Sequence, residues 1–119
     1  MAKTILLAAN DPHIAYLLQR YAEGSGFETV QTGQGRAALD LAREAQPALI
    51  ILELAQPSAT RWRVLNRLKA EPQTQDIPVV VYSFLDDESS LQPGVAGYLK
   101  TSVLYDDFLT MLDKLGVHP

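Results

Sequence analysis

The chain has 119 residues, no cysteine and a formal charge of −4. A chain this long can bury roughly two thirds of its unfolded surface in one domain, and without cysteine it has neither a disulfide framework nor a thiolate site. No apolar run approaches the ~18 residues of a membrane span, the start lacks a signal-peptide pattern, and no broad basic surface points to nucleic acid, so a soluble cytoplasmic protein is expected.

In chain order, Thr4 to Ala8 is a short apolar run that reads as a strand buried on both faces. Asp11 and Pro12 then offer a cap and a first-turn proline. Ile14, Leu17, Leu18 and Tyr21 fall at helical spacing behind them, and Gly24 supplies a stop. Phe27 to Gln31 is a weaker strand candidate. A second helix over residues 35–44 turns Ala38, Leu41 and Ala42 inward and stops before Pro47. Ala48 to Leu54 reads as a buried strand. Residues 59–70 form a third helix presenting Trp62, Leu65 and Leu68, with Arg61, Arg63, Arg67 and Lys69 on a solvated face. Val79 to Tyr82 is a strand and Val95 to Leu99 a weaker one. The last helix is capped by Ser102, carries an apolar stripe of Leu104, Phe108, Met111, Leu112 and Leu115, and ends at Gly116.

Strands alternating with helices predict a doubly wound α/β fold, a five-stranded parallel sheet in the order 2-1-3-4-5. Ligands of such sheets sit beyond the carboxyl ends of the strands, near the switch point between the first and third. The residues to read there are Ala9, Asn10, Asp11, Glu53, Ser83 and Lys100.

Four segments, Ile5 to Pro12, Pro47 to Leu54 with Pro57 beyond, Asp76 to Ser83 and Gly97 to Lys100, together resemble the receiver domain of response regulators over nearly the whole chain. The resemblance implies a flavodoxin-like fold and a single domain over residues 1–119. In the family a histidine kinase passes phosphate to an aspartate ending the third strand. Magnesium, a Ser or Thr ending the fourth strand and a lysine ending the fifth assist. Carried over residue by residue, the acceptor position is Glu53, the hydroxyl position Ser83, the lysine position Lys100 and the position of the family's switching aromatic Tyr98. The acidic pair that holds magnesium is replaced by Ala9 and Asn10. Asp11 comes next, but it is needed as a helix cap.

These departures predict a pseudo-receiver that signals without phosphorylation. Glu53 moves its carboxylate outward by one methylene, a displacement of ~1 Å that in-line transfer tolerates poorly. It is expected either to pair with Lys100 or to be a polar strand end facing water. Ser83 is open to a plain strand-end reading, and Tyr98 to that of a half-buried edge aromatic. Phe84 stands where the family has a small residue and is expected to cover the pocket. Thr101 replaces the family's cis-proline, so a trans bond is expected. Seventeen positions separate Ser83 from Lys100, fewer than is usual in the family, which predicts a shortened or missing fourth helix. His13 and His118 have no ligand-spaced neighbour.

No catalytic residue, metal or cofactor is expected. The partner implied is a protein, a histidine kinase or other signalling protein, with a homodimer through the last strand and last helix as a further possibility. Two alternatives remain: an altered, metal-assisted site built on Asn10, Asp11 and Glu53, and a small-ligand sensor in the same crevice.

Overall fold

Among the described residues the alternation of apolar strand and amphipathic helix is realised with strand limits within two residues of those expected. The computed structural model of the chain describes residues 3–32, 35–54, 59–83, 95–100 and 104–119. The elements are β1 (Thr4–Ala8), α1 (Pro12–Gly24), β2 (Glu28–Thr32), α2 (Gly35–Ala45), β3 (Leu49–Leu54), α3 (Ala59–Ala70), β4 (Val79–Ser83), β5 (Gly97–Lys100) and α4 (Tyr105–Leu115). Every strand pairing is parallel, and the order is β2-β1-β3-β4-β5. This is the flavodoxin-like arrangement expected.

Successive strand residues point to opposite faces, and both faces are covered, which is why the central strands are apolar at nearly every position. Ile5, Leu7, Leu49, Ile51, Val80, Tyr82 and Leu99 pack with Leu18 and Ala22 of α1 and with Phe108, Met111 and Leu112 of α4. On the other face, Leu6, Ala8, Ile50, Leu52 and Val79 pack with Ala38, Leu39 and Ala42 of α2 and Val64, Leu65 and Leu68 of α3. Tyr21 ties α1 to α4, its ring centroid 5.4 Å from that of Tyr105 and 5.7 Å from that of Phe108.

The caps explain the helix limits. Asp11 Oδ1 accepts a 2.8 Å hydrogen bond from His13 N, as an N-cap does. Gly116 takes φ 70°, the left-handed conformation that glycine adopts without a Cβ penalty, and ends α4. Gln46 ends α2 at φ 46°, its side-chain amide donating to Ala42 O, Arg43 O and Gln73 O.

Two expectations for the last helix need correction. Its N-cap residue is Leu104, whose N–H donates to Asp107 Oδ2 at 2.9 Å, so Ser102 does not open the helix. Leu104 is 66% exposed and outside the apolar stripe, because at the cap its backbone is extended and precedes the helical periodicity. The basic face of α3 also divides. Arg63 and Arg67 are exposed, while half-buried Lys69 donates to Ile77 O at 2.7 Å and Gln75 O at 3.3 Å, and burial pushes its pKa down.

Candidate functional site

Parallel strands entering from one side leave their carboxyl ends along one edge, and β1 and β3, adjacent in the sheet, define the switch point there. Glu53 is the penultimate residue of β3 and shares a face with Ile51 and Leu49, the face that α1 covers. Its side chain therefore runs toward the start of α1.

The contact it makes there was not foreseen from the sequence. Glu53 is 1% exposed, which overturns the reading of a strand end facing water. Its Oε1 accepts hydrogen bonds from Asn10 N at 3.2 Å and Asp11 N at 3.3 Å. Both donors lie in the turn between β1 and α1, at the positive end of the helix dipole, which favours a carboxylate. The other oxygen, Oε2, is buried with no hydrogen-bond partner among the described residues. Tyr82, the register partner of Glu53 on β4, has its phenol pKa pushed up by burial first and then by the negative charges of Glu53 and Asp11.

The remaining positions gather at the same edge. Ala9 is half-buried, its N–H donating to Thr32 O at 3.0 Å, and Asn10 is exposed. Asp11 is held as the cap. The backbone sets Ser83 and Lys100 opposite each other as register partners at the ends of β4 and β5, with Ser83 also opposite Leu54 of β3. Tyr98 is half-buried on the edge strand. The Lys100 and Ser83 side chains, the Trp62 side chain, Pro57, Phe84, Thr101, Ser102 and the short helix expected between β4 and β5 lie outside what is described, so the expected pairing of Glu53 with Lys100 does too. His13 and His118 are both exposed. Among the described residues no cluster of three or more His, Cys, Asp or Glu could hold a metal ion, and no helix is long and apolar enough to cross a membrane.

The signal for the Glu53 contact was nevertheless present in the sequence. A longer carboxylate on β3 stands opposite a turn whose first residue, Ala9, carries no competing charge. What composition could not give was the direction of the turn's two N–H groups.

Comparison with known proteins bears on the fold and the family. No family model matches the chain. In fold it is similar to chemotaxis protein CheY4 of Vibrio cholerae, with a TM-score of 0.85 at 19% identity, covering 96% of this chain and 98% of that one. It is also similar to the receiver domain of a sensor histidine kinase from Pseudomonas aeruginosa, which holds a magnesium ion in its active-site cleft. The TM-score there is 0.84 at 16% identity, over 96% of this chain and 97% of that one. In sequence, the polar-differentiation response regulator DivK of Brucella ovis is 30% identical over 121 aligned positions spanning 98% of each chain, and DivK of Brucella anthropi matches equally. Likeness at that level over the whole length, on a sheet of this order, means that the chain belongs to the response-regulator receiver family of two-component signalling.

Proposed function

We propose that this receiver domain works without phosphorylation and transmits its signal through contacts with another signalling protein. The observation that carries the reading is the engagement of Glu53. The carboxylate at the acceptor-equivalent position is buried and already ligated by the two amides of the β1–α1 turn.

The donor set around it does not fit a magnesium ion. That ion demands near-octahedral oxygen coordination, usually from one or two carboxylates with waters. Ala9 offers no side-chain oxygen, Asn10 only a neutral one, Asp11 is committed to capping α1, and one oxygen of Glu53 is occupied. Without a cation to offset charge, and with the carboxylate set one methylene too far out, phosphoryl transfer to Glu53 is not expected. Ser83 and Lys100 are the hydroxyl and lysine positions, and Tyr98 the aromatic position, of a domain that keeps the receiver frame. Phe84 is read as a cover over the pocket, and the domain as one unit over residues 1–119 in the cytoplasm.

The partner is a histidine kinase or another signalling protein. A homodimer through β5 and α4 is a second mode, supported by the exposed Leu104 and partly exposed Tyr105 at the start of α4.

Incubation with acetyl phosphate and magnesium, followed by intact-mass measurement, tests the reading. The wild type is expected to gain no phosphate while an ordinary receiver does. A phosphorylated wild type would refute it. Glu53→Asp in the same experiment separates the causes: gain of phosphate there assigns the block to the acceptor, and no gain assigns it to the other departures, Ala9, Asn10 and Phe84.

A further inference from the structure

Oε1 of Glu53 reaches two consecutive backbone N–H groups, at 3.2 and 3.3 Å, where the chain turns from β1 into α1. The residue immediately before this pair is Ala9, half-buried, whose side chain ends at Cβ. Covalent geometry holds that Cβ within ~3.5 Å of Asn10 N, and so within roughly 7 Å of the Glu53 oxygen. A carboxylate built on position 9 would thus bring a second negative charge close to the first in part-buried surroundings. Like charges at such range disfavour each other, the more so where the surroundings are partly shielded from water.

We propose that Ala9 and Glu53 act as a pair: the missing charge at position 9 lets Glu53 ligate the turn, so that the chain's own carboxylate fastens the end of β3 to the start of α1. Buried Oε2 fits this account, since one oxygen makes both bonds while the other is left without a partner among the described residues. The carboxylate stays because the two amides and the helix end favour it, and an acidic neighbour would tip that balance. The β1–α1 turn is then held in one arrangement with no ion or phosphoryl group to set it. The proposal rests on the phosphorylation-independent reading for its meaning in signalling. Its test reads two backbone amides and no phosphoryl transfer, so the two can fail separately.

Amide hydrogen exchange of the full chain, followed by NMR, compares wild type with Ala9→Asp and Ala9→Asn. The asparagine is nearly the same size as the aspartate but uncharged. Asn10 and Asp11 are expected to exchange about tenfold faster or more in Ala9→Asp, the effect of losing a charge-assisted bond, and near the wild-type rate in Ala9→Asn. Met111, on the buried face of α4, should be unchanged in both and reports that the fold is intact. Wild-type protection in Ala9→Asp overturns the proposal, as does equal loss in both variants, which would make bulk the cause. Should Ala9→Asp unfold the chain, the double variant Ala9→Asp with Glu53→Gln decides. Recovery of the folded spectrum supports the pairing, and failure to recover overturns it.

Discussion

Replacing Glu53 by aspartate isolates what the carboxylate bridge contributes, because both residues keep a buried carboxylate and the cost of burying charge largely cancels between them. Removing one methylene withdraws the oxygens by about 1.3 Å, so the contacts at 3.2 and 3.3 Å open to roughly 4.5 Å, beyond hydrogen-bonding range. Hydrogen bonds to a charged group contribute about 1.5–3 kcal/mol each when fully buried. Asn10 is exposed, so water takes over part of the role and about 1 kcal/mol per amide is the better figure. The lost methylene adds about 0.8 kcal/mol. Glu53→Asp should therefore unfold more easily by about 2–3 kcal/mol, seen in urea as a lower midpoint with an unchanged slope. In a thermal melt this is a fall of about 8–12 °C for a domain of this size. A variant as stable as wild type would refute the reasoning, since the bridge would then contribute nothing.

Other perturbations follow from the same structure. Phe108 is fully buried between the sheet and Tyr21, and Phe108→Ala should cost about 3–5 kcal/mol in chemical denaturation. Gly116 sits at φ 70° with open space where a Cβ would go, so Gly116→Ala should cost only the left-handed penalty of about 1 kcal/mol, and a loss several times larger would point to an unseen clash. The Tyr82 phenol titrates above its ordinary value of 10.0 in the folded state. The unfolded chain thus releases this proton first, and the contribution, whole below pH 10.0, is lost as pH rises through the folded value. Tyr82→Phe should show a shallower alkaline fall in stability than wild type. Glu71, bonded through both carboxylate oxygens to Arg43, has its pKa held down by that hydrogen bond. Its contribution is present above the ordinary carboxylate value and lost as pH falls through the lower folded one, so Arg43→Met should flatten that acid limb.

Much of the fold was legible because each element carries more than one consistent signal. Asp11, Pro12 and Gly24 bound α1 at both ends of an apolar stripe, and the observed helix runs over those limits. The β-strands lie within two residues of their expected limits, since Ile, Leu and Val runs between polar turns leave little freedom of register. The last helix was misread at its start because Ser102 and Asp107 both offer a capping group, and the winner, Asp107, caps from inside the helix onto Leu104 N. Leu104 then looked periodic only because the helix was begun too early. At the site, the residue types at positions 9, 10 and 53 marked the departure from the family pattern. Its consequence depended on where two backbone N–H groups point, which side-chain patterns do not encode.

The most direct test is a ¹H–¹⁵N correlation spectrum of the wild type before and after magnesium and acetyl phosphate are added. The account predicts that the amides of Asn10, Asp11, Glu53 and Lys100 stay where they are, because the cleft is already held by its own carboxylate. Saturable shifts at those amides would contradict it and show a site that still takes the ion or the phosphoryl group.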